Sequence, residues 1–222
     1  LAFGLLLIPM LAFSGSIEGT AIYSGEIPTL TSFKTGKYKK ACGSEVQNET
    51  LIIDNQGLKN VVLSLHNKNL KSKIGEYHLD QKKCRYEPHV MAVPVDAELK
   101  IHTSDPVNHN IHTYSFENDP INIMFLANQE EYSQEMEEVE IIKVECDLHS
   151  WMTAWIVVTP NSYSAISKSN GSFKILDVPP GDYKLTAWHE TLGNLNKDIT
   201  IKDTDININF DFIEAKLKET KS

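Results

Sequence analysis

Basic residues are the minority in this sequence, 21 Lys and Arg against 30 Asp and Glu, and none gather in a run interleaved with aromatics. That excludes a cationic nucleic-acid groove, and the net charge of -9 steers cations or basic protein faces toward the surface. A long apolar run is also missing. The opening stretch, LAFGLLLIPMLAF, is uncharged but has only thirteen residues, whereas a helix needs about 20 to cross a ~30 Å bilayer core. No segment holds a helical period over any length, no nucleophile sits beside a base in a recognisable motif, and no c-type haem attachment motif occurs. A helical fold and nucleophilic catalysis are thereby set aside, and the chain is not expected to be an enzyme. What is present suffices for real cores: 222 residues, 41% apolar and 23% charged.

The opening stretch reads as the apolar region of a signal peptide. Ala12 and Ser14 are spaced as in a small-residue cleavage site, and the first charge is Glu18. No basic segment precedes the stretch and the chain starts at Leu1, so the expectation is a leader remnant over residues 1–14 whose first residues are not part of this sequence. The alternative is an uncleaved N-terminal anchor, the one route to a membrane. Either way a periplasmic or otherwise exported protein is expected, and no Cys near Ser14 offers a lipid attachment point.

An oxidising compartment pairs thiols, and three cysteines leave one over. Cys42 and Cys84 lie in polar, turn-like surroundings (KKACGSE, KKCRYEP), whereas Cys146 ends an alternating apolar strand. The expected disulfide is Cys42 to Cys84, with Cys146 reduced.

Short β-branched and aromatic runs separated by Gly, Pro, Asn and Asp predict an all-β fold. Strands are expected at Ile17 to Tyr23, Val61 to Leu65, His89 to Val95, Leu99 to Thr103, Ile111 to Phe116, Val139 to Cys146, Trp155 to Thr159, Gly171 to Ile175, Tyr183 to Trp188 and Ile206 to Phe212. The acidic stretch from Leu126 to Glu138 reads as a solvated loop and edge strand rather than a short helix.

Chemistry concentrates in VECDLHSWM, where a thiol, an imidazole and a thioether fall at C-x2-H-x2-M. Ile142, Val144 and Cys146 share one strand face, so the sulfur points inward while Lys143 and Glu145 face water. A turn directly after Cys146 brings His149 and Met152 back to the same point. Two imidazoles, one thiolate and a weak axial Met form the ligand field of a blue copper site. The second imidazole lies upstream in SDPVNHNIHTYS, where His109 shares its face with Ile111 and His112 alternates to the opposite one.

With HNIH at His109 to His112 and CDLHSWM at Cys146 to Met152, the chain resembles the cupredoxins, type 1 copper proteins of the amicyanin and plastocyanin kind. YEPHVMAVPVDAELKIHTSDP is similar to the two strands that precede the first ligand loop in that family. The resemblance covers roughly Arg85 to Thr159. It implies a Greek-key β-sandwich with one mononuclear copper, His109, Cys146 and His149 as equatorial ligands and Met152 as the axial one. It also implies single-electron transfer, with His149 at the surface as the exit toward a c-type cytochrome or a periplasmic oxidoreductase.

The chain departs from the family at Asn108 and Ser150, where members carry proline, which suggests a looser loop. It departs again at Asp147, where a hydroxyl residue would bond the Asn after the first His. Here Asn110 would face Asp147, and a carboxylate beside the thiolate favours Cu(II), so the reduction potential is expected to be lower than that of Asp147→Thr. His66, His78, His89 and His102 read as surface or edge residues, with a second metal site at His89 as the alternative. Trp151 is either core packing or part of an apolar docking rim.

The flanks carry a different pattern. AISKSNGSFKILDVPPGDYKLTAWHE predicts a hairpin bracketed by Asn-Gly and Pro-Pro-Gly turns. It resembles the carboxypeptidase regulatory-like domain, a transthyretin-like β-sandwich, whose opening G-x-x-x-G strand is similar to GSIEGTAIYSGEIP. Neither flank alone has residues enough for a core. Residues 15–75 and 160–212 are therefore expected to form one smaller sandwich, with a cupredoxin over 76–159 inserted in it or packed beside it, and a tail over 213–222. The Cys42 to Cys84 bridge would tie the two, and Trp188 with His189 reads as an ordinary edge pair rather than a cap on the copper domain. Two functions follow: an electron carrier, or a copper-binding, delivery or interaction module without electron transfer.

Overall fold

The computed structural model describes residues 14–73, 75–127 and 131–213. The leader expected over residues 1–14 lies outside these apart from Ser14, as does the tail apart from Ile213. The described chain is built almost wholly of strands, with one four-residue α-helix, Lys39–Cys42, and one 3₁₀ turn, Gly36–Tyr38. None of its helices is long and apolar enough to cross a membrane.

Two sandwiches carry the fold. In the first, Gly15–Ile22 pairs with Ser172–Val178 on one side and runs parallel to Ile206–Asn207 and Phe210–Asp211 on the other. Gly19 sits where the returning chain crosses: a Cβ there would lie 1.8 Å from the Ile208 carbonyl oxygen, so only glycine permits the contact. The facing sheet runs in the order Ser164–Ile166, Val62–His66, Gly181–His189, Gly193–Ile201. Ile17, Leu58, Leu63, Leu65, Leu185 and Phe210 fill the space between the two sheets.

The second sandwich is formed by the chain between these strands. One sheet has the order Tyr132–Met136, Ala97–Thr103, Glu76–Lys82, Arg85–Glu87. The other has the order Asn122–Phe125, His109–Tyr114, Ile141–Glu145, Thr153–Thr159, Val90–Pro94. Inward residues of alternating strands, among them Leu99, Ile101, Ile111, Ile142, Val144 and Ile156, are fully or almost fully buried. The stretch after Leu126 supplies an edge strand, Tyr132–Met136, which pairs on one side only.

The two sandwiches meet through Val62, Val90, Val157 and Trp188. Trp188 stands edge-on to Trp155 of the second sandwich at 5.3 Å between ring centroids. This corrects the reading of Trp188 and His189 as an edge pair: their strand is paired on both sides, and both side chains are buried. Beside them the buried Glu190 carboxylate accepts from Trp155 Nε1 at 2.8 Å and contacts His89 Nε2. His89, expected at the surface, is therefore buried between the two sandwiches, with its Nδ1 3.1 Å from the Thr153 carbonyl oxygen. Several strands escaped the sequence reading, among them Asn122–Phe125, Ser164–Ile166, Glu76–Lys82 and Gly193–Ile201; the last two have polar patterns and bury only two and one side chains.

Candidate metal centre

Three donors converge at one end of the second sandwich. His109 opens the strand His109–Tyr114, Cys146 follows directly on Ile141–Glu145, and His149 lies in the loop that returns to Thr153–Thr159. That loop closes on itself through backbone hydrogen bonds: His149 N donates to Cys146 O (3.2 Å), Met152 N to His149 O (2.8 Å) and Cys146 N to Met152 O (3.1 Å). The tight closure brings His149 back to the Cys146 sulfur and the Met152 backbone back to that of Cys146.

His149 Nδ1 lies 3.1 Å from His109 Nδ1 and 3.6 Å from Cys146 Sγ. The three side chains each offer a ligand atom within 4.8 Å of the others, and all three are buried. A first-row cation takes imidazole nitrogen at about 2.0–2.1 Å and thiolate sulfur at about 2.3 Å, so donors spaced this way can occupy vertices of one coordination polyhedron. Met152 is also buried in this core. His112 turns away toward the surface, where it stacks on Tyr114 at 4.7 Å.

The surroundings prepare each donor. The Asp105 carboxylate accepts from the backbone N–H groups of Lys83 (2.6 Å) and Cys84 (2.7 Å) and lies 2.8 Å from His109 Nε2. A carboxylate in that setting can only accept, so His109 keeps a proton on Nε2, and it is Nδ1 that presents a lone pair to the centre once its own proton is lost. Asn110 N donates to Cys146 Sγ at 3.4 Å. Burial pushes the Cys146 thiol up, but the His109 imidazole and backbone N–H groups around the sulfur outweigh it and bring the pKa below the ordinary value, toward thiolate. Burial, the neighbouring His109 charge and, more weakly, that of Lys37 push His149 down to about 4, so its ring is a neutral ligand at neutral pH.

The pair Asn110 and Asp147 does meet, through the backbone: Asp147 N donates to Asn110 Oδ1 at 2.7 Å. The Asp147 carboxylate instead turns out to His112 Nδ1 at 3.2 Å and is half exposed. Tyr86, buried, has a single hydroxyl proton shared between the carbonyls of Asn110 (2.6 Å) and Glu145 (3.0 Å), which ties the strand that carries His109 to the one that leads into Cys146.

Cys42 and Cys84 form the disulfide, and Cys146 is the free thiol. The bridge fastens the segment around Lys39–Cys42 against the second sandwich, beside the centre. There Tyr38 covers His149, with ring centroids 4.3 Å apart and the rings edge to face. Trp151 closes another side at 5.2 Å and donates its Nε1–H to the Cys84 carbonyl at 3.1 Å. His149 is in consequence only 1% exposed, and its Nε2 is buried without a hydrogen-bond partner. This overturns the expectation that His149 forms a surface exit. Asp105 and Tyr38, both integral to the site, went unseen in the sequence reading, because neither sits in the ligand motif.

Comparison with known proteins adds the following. Residues 146–208 match the family described as Polysaccharide lyase family 4, domain II, a stretch that begins at the metal loop and runs into the first sandwich. No curated protein matches the chain. Among solved structures, a copper-containing nitrite reductase (NirK) from Thermus scotoductus SA-01 is 16% identical at a TM-score of 0.36, over 39% of this chain and 23% of its own. A purple cupredoxin from Nitrosopumilus maritimus is 20% identical at 0.32, over 37% of this chain and 98% of its own. An amicyanin in its Cu(I) form is 18% identical at 0.34, over 43% and 97%. The chain thus spans about a quarter of the nitrite reductase and nearly the whole of the two small copper proteins.

Proposed function

We propose that His109, Cys146 and His149, with Met152 as a weak fourth ligand, hold one copper ion as a type 1 centre, and that the chain passes single electrons between redox proteins. The observation that carries this reading is the convergence of two imidazole Nδ1 atoms on one buried thiol, with Asp105 directing the His109 lone pair inward. Two nitrogens, a thiolate and a thioether favour copper over the harder cations, although imidazole and thiolate also suit zinc. Bound there, copper supplies a one-electron couple. The protein's part is to hold the ligands nearly unmoved between the two charge states, which the closed loop from Cys146 to Met152 and the Tyr86 tie favour.

In this reading the chain is a carrier and not an enzyme, works in the periplasm or another exported compartment, and exchanges electrons with a c-type cytochrome or a periplasmic oxidoreductase. The first sandwich, of carboxypeptidase regulatory-like type, fastens it to a larger assembly. The alternative, a delivery protein, would need ready ligand access, which burial of all the proposed ligands disfavours.

The test is Cu(II) addition to the metal-free protein with the disulfide intact. An intense blue absorption and reversible one-electron reduction are expected, and Cys146→Ser should be colourless. A colourless wild type would overturn this reading, and a preference for Cu(I) with fast exchange would replace it with metal delivery.

A further inference from the structure

The segment that covers His149 differs in charge from the rest of the molecule. Between Phe33 and Val46 the sequence FKTGKYKKACGSEV has four lysines and a single glutamate, in a chain whose net charge is -9. The glutamate, Glu45, pairs with Lys34 at 2.9 Å, across the two-residue strand pairing of Phe33–Lys34 with Glu45–Val46. Lys37, Lys39 and Lys40 are exposed and form no ion pair among the described residues. Lys37 Nζ instead stands 5.0 Å from the Tyr38 ring centroid.

This strap is part of the centre's wall. Thr35 Oγ1 donates to the Gly43 carbonyl within it, Cys42 bonds it to Cys84, and Tyr38 with Ala41 packs on the core that holds the ligands. A redox partner therefore cannot touch the His149 imidazole. On that side its nearest approach is the outer face of Tyr38, flanked by Lys37, Lys39 and Lys40.

Resting on the copper reading above, we infer that the Tyr38 strap is the docking surface of the centre, and that it fits a redox protein with an acidic face. At ~0.15 M ionic strength the Debye length is about 8 Å, so the charges bordering the contact govern the encounter while the distant acidic surface is largely screened. Net charge alone predicts the opposite partner, one with a basic face. The two expectations differ in sign and can be separated.

The probe is hexacyanochromate(III), a paramagnetic trianion, added to the isotope-labelled, metal-free chain with its disulfide intact. Amide resonances of Gly36 to Ala41 and of Trp151 are expected to broaden first. Tris(ethylenediamine)chromium(III), a trication, should spare them and broaden acidic regions. In the triple variant Lys37→Glu, Lys39→Glu, Lys40→Glu the anion's effect on the strap should vanish. In the copper-loaded protein at ~0.15 M ionic strength, where the Debye length is about 8 Å, oxidation of the reduced centre by ferricyanide should be about tenfold slower in the triple variant than in the wild type. Broadening that avoids the strap, or equal ferricyanide rates for the wild type and the triple variant, would overturn the docking surface. Because the variant changes only exposed side chains, an unaltered amide spectrum away from the strap verifies its fold. Absence of a blue, reversible centre would overturn the copper reading. A blue protein whose strap ignores the anion would overturn this inference alone.

Discussion

Asp105 and His109 share a buried hydrogen bond, 2.8 Å from Nε2 to Oδ2, and through it the His109 imidazole is tied to the turn that carries the disulfide. The same carboxylate gathers the amides of Lys83 and Cys84, so the orientation of one imidazole depends on the backbone beside Cys84. Burial raises the Asp105 pKa, but the hydrogen bonds from His109 and the two amides outweigh it, and the group is held below its ordinary value as a carboxylate.

Asp105→Asn keeps the shape but removes the charge and turns one acceptor into a donor facing backbone N–H groups. Metal affinity should fall about 10- to 100-fold, the usual cost of losing a partner behind a ligating histidine. Competition against a chelator of known strength measures it. Unchanged affinity would mean that Asp105 braces the turn and does nothing for the ligand.

Asp147 is the residue for which the structure alters the expected size of an effect. Its carboxylate faces His112 and solvent rather than the sulfur, while its amide holds Asn110. The potential of Asp147→Thr should still exceed that of the wild type, because a negative charge near the centre is removed. The rise should stay below ~59 mV, a tenfold change in a one-electron equilibrium, since a half-exposed charge is well screened. Cyclic voltammetry of both proteins decides, and a potential equal to or below the wild-type value rejects the electrostatic role.

The ligand motif was legible because its geometry is local. Alternation along Ile142, Val144 and Cys146 puts the sulfur inside, and a closed loop of seven residues can return His149 and Met152 to it. His109 was legible for the same reason, as an inward position beside Ile111. What could not be read was everything contributed from a distance. Tyr38 reaches His149 across more than a hundred residues, and nothing in GKYKKAC marks it as the cover of a metal ligand. His89 meets Glu190 in the same way, so a histidine that reads as an edge residue is interior. The strand Gly193–Ile201 was hidden by its own composition, since Lys197 interrupts the alternation of Leu195, Ile199 and Ile201, and only Ile201 is fully buried.

Glu190 is nearly inaccessible, and both of its oxygens are used by groups of the other sandwich, His89 and Trp155. Glu190→Leu would leave the His89 and Trp155 donors buried without an acceptor, a loss of roughly 3 kcal/mol. Urea unfolding should show a lower midpoint, and the near-ultraviolet signal of the Trp155 and Trp188 pair should weaken. An unfolding free energy within about 0.5 kcal/mol of wild type, the range of ordinary surface substitutions, would show that the two sandwiches are held by apolar contact alone.

His189 provides a pH dependence of stability. It is 1% exposed, and burial, with a smaller contribution from the neighbouring His89 charge, pushes its pKa down to about 4 from an ordinary 6.5, against a weaker upward pull from Glu190. A histidine whose folded pKa is depressed stays neutral in the fold while the unfolded chain takes up a proton. Its contribution is complete above pH 6.5 and is lost as the pH falls toward about 4. The loss over that window is on the order of 3 kcal/mol at most. His89 works on the other side of neutrality. Burial lowers its pKa, but the hydrogen bond and charge of Glu190 outweigh that and raise it, so its contribution is present below pH 6.5 and is lost as the pH rises through the raised value. His149, lowered to about 4 in the metal-free chain, acts in the same direction as His189, so only a difference between two proteins isolates the latter. His189→Phe should therefore unfold with a shallower acid-side decline than the wild type between pH 6.5 and 4.5. Denaturant midpoints at half-unit pH intervals give the two slopes. Parallel slopes would show that His189 is protonated in the fold, with the adjacent Glu190 carboxylate outweighing its burial.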